Sequence, residues 1–447
     1  MFTSISCLIK NLKQPWLHTI NIKNSPQREL NMFKRTFIRQ ISALATLGFF
    51  SLHALAMSAT PDPQASVDGD AITQFQNSWA GKALAHQRNM DANKPLAENN
   101  IIGSHNSYNS RKYRNATRYL DPQQIVSIYD QLRLGARFIE LDAHWTAHTH
   151  GWPWQWGTDL LLCHSGIGVD VGDLHVGCSL TDRRVEDGIA EVARWINENP
   201  KEVIILYFED HTDGRHQELF NVINKQLGAN IYASQGCKAI PNTLTKNQVL
   251  ASGKQVIVWK DGGCSGNQNM SNMAFTSLGD INRIWEDRTS IGAIGAFFTN
   301  GSVKKIESED VIQAFKNGGN IVNLDDMTHS DDRLSAAIWS WDVNEPNNWG
   351  GNQDCALQWE NGRWDDTSCS NQHFFACQHN ETQEWNISTY QDAWQAGQQA
   401  CSLLGNYRFS TPSNSLENEK LKTAKGGISH VWLNASDRTE EGTWITH

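Results

Sequence analysis

Gly103-Ser104-His105-Asn106-Ser107-Tyr108, Ile139-Glu140-Leu141-Asp142, Leu162-Cys163-His164-Ser165-Gly166 and Leu206-Tyr207-Phe208-Glu209-Asp210-His211 decide how this chain folds. Each stands at the end of an apolar run that reads as a strand. Each presents His, Asn, Asp or Glu where the run stops. In a parallel barrel the C-terminal ends of the strands converge on one face, so residues distant in sequence meet there. Between these segments the period changes. Residues 121–134 carry Ile125, Ile128 and Leu132 on one helical face, and residues 183–199 form an amphipathic helix closed by Pro200. Residues 203–208 are a continuous apolar run, as in strands buried on both faces. Residues 256–259, 321–324 and 336–339 read as further strands, and 217–226 and 310–316 as helices. This alternation predicts an α/β fold, a TIM-type (β/α) barrel over residues 57–342. Residues 265–305 are ambiguous, and they leave the count of strands short of eight.

The residue types at those strand ends are two histidines, His105 and His164, and four oxygen donors, Asn106, Glu140, Asp142 and Glu209. Alternation puts Glu140 and Asp142 on one face of their strand, with Ile139 and Leu141 on the other. Two carboxylates facing a barrel mouth repel unless a cation lies between them. An ion pair with Arg137 is the metal-free alternative. Hard oxygen donors suit calcium, and such a site suits metal-assisted attack on a phosphodiester. Histidine titrates near neutrality and can hold or donate the proton. Asp210 and His211 compete with Glu209 for its place. His144, His148, His150 and His175 read as loop residues without a role. Trp152, Trp154 and Trp156 fall in one seven-residue loop after the Glu-x-Asp strand. Tryptophan prefers a membrane–water interface, so this loop reads either as a lipid-docking element or as a packed lid.

The chain has 447 residues, 39% hydrophobic and 19% charged, which is a folded composition with room for two domains. A basic run at Lys34, Arg35 and Arg39 precedes an apolar stretch to Ala56, and Ala54-Leu55-Ala56 fits a cleavage site. Residues 1–56 therefore read as an N-terminal extension and signal peptide, with Met32 as the start, and the product as secreted. The formal net charge is −10, and residues 1–56 hold seven of the Lys/Arg but one acid, so the remainder is more acidic still. Such a balance excludes nucleic acid as a partner. Cleavage removes Cys7 and leaves eight cysteines, an even count that indicates disulfides in an exported chain. Neighbours in sequence suggest Cys163–Cys178, Cys237–Cys264, Cys355–Cys369 and Cys377–Cys401 among the many pairings open to eight cysteines.

The ordered set of His105-Asn106, the Gly-x-Arg-x-Ile-Glu-x-Asp stretch Gly135 to Asp142, His164 and Glu209 resembles the catalytic X domain of phosphatidylinositol-specific phospholipase C. The resemblance covers residues 95–342. It implies that His105 and His164 are catalytic, and that Asn106, Glu140, Asp142 and Glu209 are the calcium ligands of the metal-dependent branch. It implies that Lys260 contacts substrate phosphate. The implied reaction is attack of an inositol 2-hydroxyl on phosphorus at a phospholipid membrane surface, releasing diacylglycerol and a cyclic inositol phosphate. Glycerophosphodiester and sphingolipid phosphodiesterases share a related layout and are the alternative substrates. A non-catalytic glycan-binding adhesin is the alternative of another class.

After Trp341 the chain becomes rich in Asn, Asp, Trp, Gly and Cys. Glu345-Pro346-Asn347, Asp354-Cys355, Trp364-Asp365-Asp366, Cys369 and Phe375-Ala376-Cys377 resemble the second half of a C-type lectin domain, an α+β module. Trp394, Cys401, Pro412, Glu417-Asn418, Trp432-Leu433 and Gly442-Thr443-Trp444 resemble its first half. Residues 343–447 are thus read as a C-type lectin-like module, either permuted or truncated within a second copy. The resemblance implies calcium and glycan binding through Glu345, Asn347, Asp365 and Asp366. Two positions depart from it: Asp365 stands in place of the family's Asn, and Gln353 in place of an acid.

Overall fold

The computed structural model describes residues 67–113, 122–149, 155–164, 170–171, 173–175, 177–264, 266–286 and 305–447. The leader region 1–56 lies outside them. Strands β1 (Ile101–Ser104), β2 (Phe138–Thr149), β3 (Trp156–Leu162), the short pair β4 (Asp170–Val171) and β5 (Leu174–His175), β6 (Ile204–His211), β7 (Val256–Lys260), β8 (Arg283–Trp285) and β9 (Ile321–Leu324) make the first part. Its main sheet runs β7-β6-β2-β1-β9-β8, and every pair along that path is parallel. Helices return the chain between these strands, as in a TIM-type barrel. Helix Val185–Glu198 shows why. Ile189, Val192, Ala193 and Ile196 recur on one face and are buried against the sheet. Asp187 accepts from the Arg184 backbone N–H at 3.3 Å at the start, and Pro200 stops the helix.

Three sequence expectations give way here. β3 does not add a parallel strand: it turns back antiparallel on β2, pairing Thr149 with Trp156 and Ala143 with Leu162. An apolar run carries no direction, and the connection between the two is too short for a crossover. Residues 336–339 form no strand; they follow helix Asp332–Ala336 and bury Ile338 and Trp339 at a junction with the C-terminal part. Helix Ile128–Arg133 is also shorter than residues 121–134.

The C-terminal part comprises β10 (Cys355–Gln358), β11 (Trp364–Thr367), β12 (Phe374–His379), β13 (Trp385–Ile387), β14 (Tyr407–Phe409), β15 (Val431–Ser436) and β16 (Ile445–Thr446). Helices Gly397–Ser402 and Ser415–Lys425 lie between them. One sheet, in order β11-β10-β15-β12-β13, takes strands from both lectin-like halves. β10 pairs with β15 antiparallel, and β12 pairs with β15 parallel and with β13 and β14 antiparallel. Disulfides join Cys163–Cys178, Cys237–Cys264, Cys355–Cys369 and Cys377–Cys401; the last links the halves.

The two parts are welded. Asn418 is the centre of the seam: its amide nitrogen donates to Trp339 O (3.1 Å) and Gly362 O (2.8 Å), and its oxygen accepts from Gln358 Nε2 and Trp364 Nε1, both at 2.8 Å. Trp341 packs edge-on against Trp364 and Trp444, and its indole N–H donates to His86 Nδ1 at 2.7 Å. Among the described residues no helix is long and apolar enough to cross a membrane.

Candidate active site

Alternation along the parallel strands aims one set of side chains into the barrel. On β2 these are Phe138, Glu140, Asp142 and His144; register sets Glu140 beside Tyr207, Asp142 beside Glu209 and His144 beside His211 of β6. On β9 the inward residue is Asn323, whose amide donates to Glu140 Oε2 at 3.0 Å. Gly103 on β1 makes that contact possible, because a Cβ there would sit 1.8 Å from Asn323 Oδ1. At the end of β1, Asn106 takes φ 43°, an uncommon conformation for a non-glycine that turns the chain sharply into the mouth.

Carboxylate oxygens of Glu140, Asp142 and Glu209 lie within 4.8 Å of one another. Glu140 and Asp142 are 3% and 2% exposed. Burial pushes the Glu140 carboxyl up. Burial and then the charges of Glu209 and Glu140 push Asp142 well above the carboxylate range, although Tyr108 donates to it at 2.8 Å. Glu209 goes the other way, held down by the hydrogen bond from His211 Nε2 at 2.9 Å. Glu140 and Asp142 cannot both ionise in so dry a place, beside a third carboxylate, without a counter-charge. One end of the Asn106 amide lies 3.1 Å from both Asp142 oxygens. Turned one way its nitrogen donates there; turned the other, its oxygen completes a four-oxygen set around a cation. Three carboxylates and one amide oxygen fit a hard divalent ion such as calcium.

His105 sits beside this cluster, 8% exposed. Its Nδ1 meets Asp325 Oδ1 at 2.9 Å, which leaves Nε2 toward the mouth, 3.3 Å from the Asn106 amide. Burial opposes charging of this ring. The Asp325 hydrogen bond and the carboxylates of Glu140, Asp325 and Asp142 outweigh it and lift the pKa to about 9. Asp325 is fixed in turn: its backbone N–H donates to Glu286 Oε2 at 2.9 Å, and Arg333 pairs with Glu286 and donates to Asp325 O at 2.6 Å. His164 follows β3, whose antiparallel run brings it back toward the level of Asp142. Its charge is felt by Glu209 and His144, so it belongs to the same mouth.

Other expected residues are not brought together. Lys260 faces out of the barrel, because Trp259 is the inward residue of its pair. It is fully buried, and its ammonium is closed by Asp210 Oδ2 (2.5 Å), Gly263 O (2.5 Å) and Asp261 O (2.9 Å). In this arrangement its ammonium is engaged by protein groups on the outer side of the strand. Arg137 pairs with Glu202, not with Glu140 or Asp142. The cation that does reach Glu140 is Arg283, at 3.4 Å, stacked against Tyr207 and Trp259 inside the barrel. Trp156 is exposed on β3; Trp152, Trp154 and His150 lie outside the described residues. His144 and His148 are strand residues of β2 and His175 of β5, so none of the three is in a loop.

The C-terminal part holds a second acidic group. Glu345, Asp365 and Asp366 present oxygens within 4.8 Å of one another, beside the cis Glu345-Pro346 bond. Asn347 donates to Glu345 Oε1 at 2.7 Å. Asp366 accepts the backbone N–H groups of Asn347 (3.0 Å) and Asn348 (2.7 Å), which ties the loop to β11. Gln353, in place of an acid, spends its amide nitrogen on Asp366 O at 2.9 Å. Burial and the neighbouring Asp366 and Asp365 push Glu345 up to about 8.

Residues 64–277 match the family model of the Rv2075c PI-PLC-like domain, and residues 313–379 match that of the C-type lectin domain. The latter range begins inside barrel elements, since β9 belongs to the first sheet. Two curated relatives from Mycobacterium tuberculosis, uncharacterized protein Rv2075c of strain H37Rv and uncharacterized protein MT2135 of strain CDC 1551, are each 23% identical over 402 residues, 80% of this chain and 80% of theirs. Solved structures similar to this chain include phosphatidylinositol-specific phospholipase C from Listeria monocytogenes (18% identity, 55% of this chain and 94% of that one, TM-score 0.32). Others are a mutant of the Staphylococcus aureus enzyme (16%, 58% and 98%, TM-score 0.37) and a calcium-dependent enzyme from Pseudomonas sp (14%, 52% and 91%, TM-score 0.29). Residues 64–277 are thus similar to a phosphatidylinositol phospholipase C-like domain of the Rv2075c type, and residues 313–379 to a C-type lectin domain.

Proposed function

We propose that the barrel is a secreted phosphodiesterase that cleaves phosphatidylinositol-type lipids with calcium assistance. One observation carries this reading: three clustered carboxylates, two of them buried, and a buried amide beside a histidine that a fourth carboxylate, Asp325, holds by Nδ1. Glu140, Asp142, Glu209 and Asn106 would hold the ion, which offsets phosphate charge when bound. Neutralising those carboxylates removes part of what lifts His105, and its pKa falls toward the range where imidazole accepts a proton. His105 Nε2 then takes the proton of the attacking hydroxyl, and Asp325 stabilises the imidazolium. His164, from the other side of the mouth, donates to the leaving oxygen. Attack by the inositol 2-hydroxyl gives diacylglycerol and a cyclic inositol phosphate. Trp152, Trp154 and Trp156 would dock the mouth on a phospholipid surface, and four disulfides suit a product outside the reducing cytoplasm.

Residues 343–447 form, in this reading, one lectin fold with its halves in reversed order, because strands from both share a sheet and Cys377–Cys401 closes it. Glu345, Asn347, Asp365 and Asp366 would hold a calcium ion and a glycan. A headgroup panel, assayed with and without a calcium chelator, tests the barrel. Turnover of phosphatidylinositol that falls by about a hundredfold or more on chelation and returns with calcium supports it, in line with the loss of a major electrostatic group. Full activity in chelator sinks the calcium assignment, and activity confined to glycerophosphodiesters or sphingomyelin sinks the inositol one.

A further inference from the structure

One layer above the carboxylates, the barrel mouth carries imidazoles that the reaction does not use. His144 is 1% exposed, next to Asp142 and on the same face of β2. Its ring stacks on His211, with centroids 4.4 Å apart, and meets His175 edge-on. The contact between His144 and His175 is nitrogen to nitrogen, Nδ1 to Nδ1, at 2.8 Å. The other nitrogen of His175, Nε2, lies 3.2 Å from Asp213 Oδ2.

We propose that His144 and His175 form a second metal site, for a borderline transition ion such as Cu2+ or Ni2+ rather than for calcium. Three features converge on it. First, the separation is that of two adjacent ligands. Bonds of about 2.0 Å at a right angle separate the nitrogens by about 2.8 Å, whereas a tetrahedral ion needs about 3.3 Å. Second, Asp213 fixes the tautomer. A carboxylate on Nε2 keeps the proton there and leaves the lone pair on Nδ1, the arrangement that commonly supports a metal-bound imidazole. Third, the metal-free arrangement is incomplete. If His175 Nδ1 accepts, His144 Nδ1 must donate, and His144 Nε2 is then a buried lone pair with no partner. When an ion binds, the proton on His144 moves from Nδ1 to Nε2.

A ring nitrogen of His144 also lies within 4.8 Å of the sulfurs of Cys163 and Cys178, but these are joined as a disulfide and supply no thiolate. The protein donors are therefore imidazoles, which favour Cu2+ and Ni2+ over calcium. The remaining positions on the ion stay open to water.

The test is electron paramagnetic resonance of the full-length, oxidised chain with one equivalent of Cu2+, in excess calcium so that the carboxylates are occupied. Two equatorial nitrogens are expected. His175→Ala should remove one and weaken binding. Asp213→Asn, at an exposed carboxylate that endangers no folding, should weaken Cu2+ by about ten- to a hundredfold. His430→Ala, in a separate histidine pair with His373, should change neither. One nitrogen or none in the wild type, unchanged affinity in both mouth variants, or loss of the signal in His430→Ala would each overturn the site. The readout is spectroscopic, so an inactive barrel would leave this result standing.

Discussion

Among the described residues two groups of three carboxylates occur, each with oxygens inside 4.8 Å and each with an asparagine at its edge. In the barrel, Glu140 and Asp142 are buried at strand ends, and the neighbours are His105, with its own carboxylate behind it, and the ring of His211. In the lectin-like part, Glu345 and Asp365 are half-buried on a loop and on β11, and the neighbours are backbone amides and the indole of Trp359 at 3.0 Å. The ligand chemistry is nearly the same, and the company differs. An amide or an indole can orient a carboxylate but cannot move a proton at neutral pH; an imidazole can. The same donors therefore read as a centre for chemistry in one place and for binding in the other.

The largest effects should come from removing the proton-moving groups. His105→Ala, His164→Ala and Asp325→Asn should each lower phosphodiester turnover by about two to four orders of magnitude, with the fold retained in a thermal melt. Asp365→Asn and Asp366→Asn in the other group should leave that turnover alone and reduce calcium-dependent retention on a glycan column. Turnover that survives His105→Ala, or falls in Asp365→Asn, would dissolve the contrast.

Lys260 gives a second test, of intermediate size. The ammonium lies outside the barrel wall, clasped by Asp210, which also meets His216 at 3.1 Å. Lys260→Met should cost about 3 kcal/mol of stability, as for a buried pair broken on one side. The KM of the folded fraction should hold. A raised KM without lost stability would return Lys260 to the substrate.

The strand-end pattern made much of the mouth legible. His105, Glu140, Asp142 and Glu209 all follow apolar runs, and the alternation inside Ile139-Glu140-Leu141-Asp142 told which way they point. Applied once more it would have found Asp325, directly after the run Ile321–Leu324, and it would have turned Lys260 outward, since Trp259 faces in. What a period cannot encode is direction and partnership. The antiparallel return of β3 depends on its short connection to β2. Arg283 reaches Glu140 only because three aromatic rings of other strands hold it upright. His144, His175 and His211 come from separate segments, so nothing local marks them as a group. The seam is similar: residues 336–339 are apolar enough for a strand, but Trp339 and Trp341 find Trp364 instead.

That seam supplies the smallest effect, and it asks whether the two acidic centres sit on one folding unit. His86, on helix Trp79–Met90, accepts from the indole of Trp341. Burial lowers its pKa to about 4, against a contact with the Trp444 backbone that works the other way. The folded value is below the unfolded one, near 6.5, so between the two the unfolded chain binds more protons and stability rises with pH. The contribution is complete above about pH 6.5 and is lost as pH falls toward 4. Thermal melts should therefore show both parts losing stability together over that window, in one transition. His86→Gln, which keeps an acceptor for Trp341 and cannot titrate there, should flatten the slope by several degrees at pH 5 and change little at pH 7.5. Two separate transitions, or an unchanged slope in His86→Gln, would mean that the barrel and the lectin-like part melt as independent bodies.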